Sequence, residues 1–456
     1  MKIFFRCLLA VAITVSAADA LSSTIPASTA QAPSIPGQKQ LSLDQAVEIA
    51  RSNDPWIAGS RFRQQATEAE SIAAAQLPDP VLSFGAANLP VDNFDFNQEP
   101  MTQFKVGVSQ VFPRGDSREL KKQQLDELGD QHPYMRQNRR AMVAVTVSKH
   151  WLDIYRYQES IRLIERDRAL FEHLVDVAES SYTSAAGKTR QQDFVRAQLE
   201  LTRLEDRLAT LRQQEEMAQA KLSEWLSPAV NGGFDIEHSL PELELLDPDA
   251  AKTKVGGVDD GYLVALLLAH PSIKSLDQKI VATTTGVQLA EQKYKPQWNI
   301  NASYGYRDDD PMGQERSDFF SLGVSFDLPL FTADRQDKEV QAAIAMQGAI
   351  RTEKALALRL MRARFQSSQR RLHYLEQRRR LYQERLLLET HDQAEASLAA
   401  YTSDDGDFAE VVRARIAELN ANIDFLNINV DRLQTIAELN YFFIPASQHN
   451  VVGVYP

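Results

Sequence analysis

Phe320-Ser321-Leu322-Gly323-Val324-Ser325-Phe326-Asp327-Leu328-Pro329 alternates an apolar side chain with a polar or small one. A period of two marks an extended strand whose two faces meet different surroundings. The stretch also echoes an earlier one. Phe104 stands 216 positions before Phe320 (320 minus 104), and Gly107-Val108-Ser109 stands at the same offset from Gly323-Val324-Ser325. Pro55, Pro80 and Pro113 precede Pro271, Pro296 and Pro329 by the same interval (271 minus 55, 296 minus 80, 329 minus 113). An offset held over so much chain predicts two copies of one supersecondary unit.

Each copy carries a second alternating stretch. Trp298, Ile300, Ala302, Tyr304 and Tyr306 alternate with Gln297, Asn299, Asn301, Ser303 and Gly305, and Leu82, Phe84 and Ala86 alternate with Ser83, Gly85 and Ala87. Four strands of about ten residues follow, a length that crosses a bilayer when tilted. A soluble antiparallel sheet with one wet face would alternate in the same way. Trp298, Tyr304, Tyr306 and Phe112 fall toward strand ends as interfacial aromatics do, and no other segment offers an apolar layer to cover the sheet, which favours lipid. Phe104, Val106, Val108, Trp298, Ile300, Tyr304, Phe320, Leu322, Val324 and Phe326 are the expected lipid-facing residues.

Helical periods fill the rest. Ser42 and Gln45 make a capping box ahead of a short helix that Asn53-Asp54-Pro55 ends, with Pro55 opening the next; Ala269-His270-Pro271 plays that part in the second copy. From Asp334 to about Tyr401 there is no proline and one glycine, and Leu358, Met361, Phe365, Ser368, Leu372 and Leu375 step by threes and fours. At 1.5 Å per residue that is a helix of about 100 Å, which must project as a coiled coil. In the first copy Gly129 and Pro133 predict a break near Gln131. The returning helices carry seams at Leu201, Leu204, Leu208 and Leu211, and at Val412, Ile416, Leu419, Ile423, Leu426, Val430 and Leu433.

Lys2 and Arg6, an apolar run from Cys7 to Val15 and small residues ending at Ala20 read as a secretory signal peptide over residues 1–20. A Ser-, Ala- and Pro-rich extended lead-in over 21–40 follows, then a first repeat over 41–226, a connecting segment over 227–258, a second repeat over 259–443 and a tail over 444–456. Cys7 is the only cysteine, so the expected mature chain has no disulfide and no thiolate site; its surroundings also argue against acylation. With 456 residues and a net charge of -12 the chain lacks the basic face a nucleic-acid partner requires. No catalytic constellation, cofactor fingerprint or metal-ligand spacing is present, so catalytic, cofactor and metal sites are all expected to be none.

Four strands cannot close a barrel in lipid, where open edges are not tolerated, so several copies must share one. Long helices continuing from the strands would extend that barrel as a tube, and a sealed tube is a conduit.

On these residues the chain resembles the TolC family of outer membrane efflux proteins. The resemblance rests on the duplicated short helix before Pro55 and Pro271, on strand pairs ending in Phe112-Pro113 and Leu328-Pro329, and on matching turns. Those turns are Tyr182-Thr183-Ser184-Ala185-Ala186-Gly187 and Tyr401-Thr402-Ser403-Asp404-Asp405-Gly406, followed by Val195-Arg196-Ala197-Gln198 and Val412-Arg413-Ala414-Arg415. It implies a mixed α/β membrane protein, mainly α: a homotrimer with a twelve-strand outer-membrane β-barrel continued by an α-helical coiled-coil barrel across the periplasm. The implied partners are a periplasmic adaptor and an inner-membrane transporter of the resistance-nodulation-division type. Gln76-Leu77-Pro78-Asp79-Pro80, Asn88-Leu89-Pro90 and Phe112-Pro113-Arg114-Gly115 resemble the heavy-metal branch, the copper/silver and cobalt-zinc-cadmium exporters. A protein-secretion duct of the same fold and a coiled-coil periplasmic adaptor without a pore remain as alternatives.

The resemblance also makes the two turns the periplasmic tip, both docking surface and gate, with Tyr182, Gly187, Tyr401, Asp404, Asp405, Gly406 and Asp407 as its residues. Threefold symmetry would gather the three acids into a negative constriction favourable to cations. Alternatively they are turn residues capping the helix that starts near Phe408. Arg190, Arg413 and Arg415 are candidates to pair with them; His391 and His150 read as solvated.

Overall fold

The computed structural model describes residues 40–183, 191–226, 234–247, 260–403 and 407–444. The expected signal peptide lies outside them, as does most of the connecting segment. The described chain is mostly helix with one small antiparallel sheet. It runs α1 (Leu43–Ser52), α2 (Pro55–Ala74), β1 (Val81–Ala87), β2 (Gln103–Phe112), α3 (Ser117–Gly129), α4 (Gln131–Thr183) and α5 (Gln191–Leu226). It continues α6 (Asp260–Ala269), α7 (Pro271–Glu291), β3 (Trp298–Tyr306), β4 (Phe319–Phe326), α8 (Gln336–Leu381), α9 (Leu387–Thr402) and α10 (Phe408–Asn440).

Helix starts follow side-chain chemistry. The Ser42–Gln45 capping box is formed on α1. Asp54 accepts the Trp56 N–H at 3.0 Å in front of α2, and His270 accepts the Ser272 N–H at 3.2 Å in front of α7, each ahead of a proline that needs no donor partner there. The first long helix breaks at Asp130, between α3 and α4. The second is helical throughout but not uniform. Tyr382–Leu386 forms a π turn in which the Leu387 N–H reaches back to the Tyr382 carbonyl. The wider turn shifts the phase of the stripe after Leu375 and leaves the Tyr382 hydroxyl 3.4 Å from Asp424 on α10. The sequence predicted no such interruption, because no proline or glycine is needed to make one.

Two apolar cores hold the helices. One gathers Trp151, Leu152, Leu222, Ile236, Ile273, Phe365, Leu439 and Phe442 where α1, α4, α5, α7, α8 and α10 meet, and the Trp151 indole donates to the Leu41 carbonyl at 2.9 Å. The other runs along the hairpins, with Phe171, Leu174, Leu204 and Leu208 packed on Phe408, Val412, Leu419 and Ile423. Both seams are therefore inward, and α10 lies along α4 as well as α9.

Candidate channel wall and hairpin tip

The sheet order is β1-β2-β3-β4, antiparallel throughout. Register sets its chemistry. Leu82 pairs with Val108, Phe84 with Val106 and Ala86 with Phe104; Phe104 pairs with Tyr306, Val106 with Tyr304 and Phe112 with Trp298. Trp298 then pairs with Phe326, Ile300 with Val324, Ala302 with Leu322 and Tyr304 with Phe320. Directly paired residues share a face, so these side chains make one apolar surface across all four strands. The opposite face carries Ser83, Gly107, Ser303 and Ser321 in one row and Ser109, Asn301 and Gly323 in another.

Nothing in the described chain covers the apolar face. The sheet packs substantially only strand on strand. Phe320 is 72% exposed, Leu322 67% and Phe84 65%, and the Trp298 and Phe326 rings lie 4.6 Å apart on that open surface. A patch of this extent is far more than a monomer in water leaves bare. β1 and β4 also present their outer backbone edges unpaired within this chain.

The helix end of the sheet is clasped. Arg114, just past β2, pairs with Asp327, just past β4, and donates to the Lys295 carbonyl at 2.8 Å ahead of β3. Asp327 also accepts the Gln297 N–H at 2.7 Å. Gly115 has φ +43 there, a left-handed backbone that favours glycine, and a Cβ would displace the flexible Lys295 side chain. At the other end the loops tie to each other. Arg307 donates to the Pro100 carbonyl at 3.0 Å and Arg316 to the Asn97 carbonyl at 3.1 Å.

At the far end of the helices, α9 and α10 close a hairpin in which the Tyr401 ring meets Phe408 edge-on at 5.6 Å. Asp407 caps α10, accepting the Ala409 N–H at 3.1 Å. Behind the turn, Arg415 bridges Glu395 at 2.6 Å and Glu418 at 2.9 Å, and Glu418 holds His391 Nδ1 at 2.7 Å. That hydrogen bond, then the Glu418 charge, raise the His391 pKa above its ordinary value.

No family model matches the sequence, and no curated protein does. Solved structures do match. The outer-membrane channel OprN superposes with TM-score 0.71 at 15% identity, covering 88% of this chain and 89% of its own. The Campylobacter jejuni outer membrane channel CmeC gives 0.73 at 14% identity, over 89% and 87%. CusC, whose structures concern folding and transmembrane channel formation, gives 0.70 at 13% identity, over 89% and 92%.

This chain has the outer-membrane channel fold. It is the fold that the TolC-family resemblance implied, and its neighbours are channels rather than enzymes. Within the channel fold, the ten strand residues expected to face lipid all lie on the one apolar surface. Of the tip residues, Tyr401 packs on Phe408 and Asp407 caps α10, on the two sides of the second turn. Tyr182 ends the first long helix, one residue before its terminus. Gly187, Asp404, Asp405 and Gly406 lie outside the described residues, as does Arg190.

Arg413 pairs with Glu410 on its own helix at 2.7 Å, and Arg415 with Glu395 and Glu418. His391 is exposed and ion-paired with Glu418, whereas His150 is half-buried and burial lowers its pKa. The clasp of Arg114 and Asp327 was missed altogether. The Phe112-Pro113-Arg114-Gly115 motif was its visible half. Among the described residues no helix is long and apolar enough to cross a membrane, and no group of three or more His, Cys, Asp or Glu is placed to hold a metal ion.

Proposed function

We propose that this chain is one subunit of an outer-membrane exit duct that conducts solutes outward from a periplasmic adaptor and an inner-membrane pump. The observation that carries this reading is the four-stranded sheet with one uncovered apolar face and two open edges. Joined β4 to β1, successive copies keep every neighbour antiparallel, and three copies make a closed twelve-strand barrel without an edge. Lipid then covers Phe84, Phe104, Ile300, Phe320 and Leu322, while the serine, asparagine and glycine face lines the lumen.

The long hairpins continue the wall as a helical tunnel, and the sequence offset of 216 reflects two copies of the strand-and-hairpin unit in each subunit. The turns beyond Tyr182 and Tyr401 form the periplasmic tip, where the adaptor docks and Asp404, Asp405 and Asp407 gate. Residues 1–20 direct export, and the partner pump is of the resistance-nodulation-division type. The likeness to CusC, together with the Gln76–Pro80 motif, supports heavy-metal ions as cargo. A pore-free coiled-coil adaptor has no use for a bare apolar sheet.

The test is expression with the leader intact, extraction of outer membranes and reconstitution in planar bilayers. The expected result is a membrane-embedded trimer with discrete conductance that prefers cations, the preference falling when Asp404, Asp405 and Asp407 become Asn. A monomer recovered from the water-soluble fraction contradicts the reading.

A further inference from the structure

Lys105 is the only charged residue in the four strands. It shares parity with Gly107 and Ser109, which puts it on the polar face, away from Phe104 and Val106. Its cross-strand partners are both glycines, Gly85 on β1 and Gly305 on β3. A Cβ at Gly85 would meet nothing within 4 Å, and Lys105 is half-buried. Lys105 has no hydrogen-bond or ion-pair partner among the described residues.

Two carboxylates near that end of the sheet, Asp318 and Asp310, keep their charge but are held by other groups. Asp318 accepts the Arg307 N–H at 2.9 Å and the Tyr304 hydroxyl. Asp310 accepts the Met312 and Gln314 N–H groups at 2.9 and 2.8 Å. Arg307, the nearest other cation in sequence on β3's exit, is spent on the Ser317 and Pro100 carbonyls and lies 4.1 Å from the Phe319 ring. One positive charge therefore stands on a face otherwise made of uncharged residues, most of them polar or small, with Val81, Val111 and Phe319 among them.

We propose that Lys105 is a selectivity residue of the channel: three copies form a positive ring near the loop end of the lumen that opposes bare cations and so weakens the cation preference set by the tip acids. The proposal rests on the trimeric barrel reading above. Twelve strands spaced about 4.8 Å apart and tilted about 40° enclose a backbone radius of about 12 Å. A lysine reaching inward from that wall leaves its ammonium within a Debye length of the axis at 0.1 M salt, about 10 Å, but not at 1 M, about 3 Å. The ring thus acts on ions at the axis in dilute salt and is screened in concentrated salt. It also bears on cargo, since any cation must pass against it, whereas an anionic complex or a neutral solute need not.

The experiment is the reversal potential of reconstituted wild type and of Lys105→Gln and Lys105→Glu in potassium chloride gradients. The cation-to-anion permeability ratio should rise about fivefold for Lys105→Gln at 0.1 M, further for Lys105→Glu, and the differences should largely vanish at 1 M. Should either variant assemble poorly, Lys105→Cys offers a second route, because Cys7 is the only other cysteine in the chain. An aminoethyl thiosulfonate reagent restores the charge there and should return the ratio to that of wild type, while a sulfonatoethyl reagent should raise it. Channels of normal conductance with an unchanged ratio at 0.1 M overturn the ring and leave the duct standing. Absence of any conductance from wild type overturns the duct, and the ring with it.

Discussion

Arg114 and Asp327 lie 213 residues apart and form one ion pair that closes the helix end of the sheet, joining the exit of β2 to the exit of β4 across the entrance of β3. The Asp327 carboxyl sits below the usual carboxylate range, first because of the Gln297 N–H and then because of Arg114. A depressed acid contributes stability above its unfolded value, about 3.9, and loses it as pH falls through the folded value. Asp327→Asn should therefore lower the fraction of oligomer surviving heat in detergent at pH 7 and flatten its decline in acid. Comparing band survival between pH 7 and pH 3 checks this. The charge-reversed pair Arg114→Asp with Asp327→Arg should recover part of the loss, which a purely steric role would not allow.

The two faces of β4 should respond oppositely to charge. Leu322→Arg puts a guanidinium on the apolar surface and should cost about 2–4 kcal/mol of membrane stability if it lies near mid-bilayer. Ser321→Arg, one residue away on the polar face, should assemble at near wild-type levels. Urea titration in vesicles measures both, and equal damage would remove the distinction between the faces.

His270 is completely buried, with Nδ1 accepting the Ser272 N–H and Nε2 3.0 Å from the Tyr441 carbonyl, so it is neutral and carries its proton on Nε2. Burial lowers its pKa. The unfolded chain then binds the proton first as pH falls below about 6.5, and stability drops from that point down to the lower folded value, at most about 1.4 kcal/mol per pH unit. His270→Asn keeps a cap and should make this slope shallower, with His132 and His150, whose pKa values burial also lowers, supplying the remainder. Denaturation midpoints between pH 7.5 and 5 test it.

Asp54 fills the corresponding place in the first half with an ion in place of a neutral ring. Arg139 Nε is 2.7 Å from its carboxylate, and the guanidinium lies between Trp56 at 5.8 Å and Trp225 at 5.2 Å. Asp54→Ala removes the cap and strands a half-buried cation, and should cost about 3 kcal/mol. Asp54→Asn keeps the cap and should cost less, as chemical denaturation of the two variants will show.

Much of this was legible because it is periodic. Alternation at Trp298–Tyr306 and Phe320–Leu328 revealed strands and their faces, and the step pattern from Leu358 to Leu375 revealed an inward stripe whose Met361, Phe365, Leu372 and Leu375 are indeed buried. Asn53-Asp54-Pro55 and Ala269-His270-Pro271 announced helix starts through chemistry confined to three residues. The clasp was hidden because Arg114 and Asp327 meet only after β3 comes between them, and no local pattern carries that. The link from Arg415 to Glu395 was hidden for a related reason: it is set by how α9 packs on α10. The π turn at Tyr382 has no composition of its own. Lys105 looked ordinary in the sequence, and only the register, which places glycine on both sides of it, shows how isolated its charge is.

On the proposed reading, the exposed sheet is one third of a barrel wall in a membrane. Native mass measurement of the protein extracted from outer membranes in mild detergent tests it most directly. A barrel wall shared by three chains gives a single species with the mass of three chains that inserts into bilayers and conducts. A stable one-chain species, soluble without detergent and silent in bilayers, would contradict it.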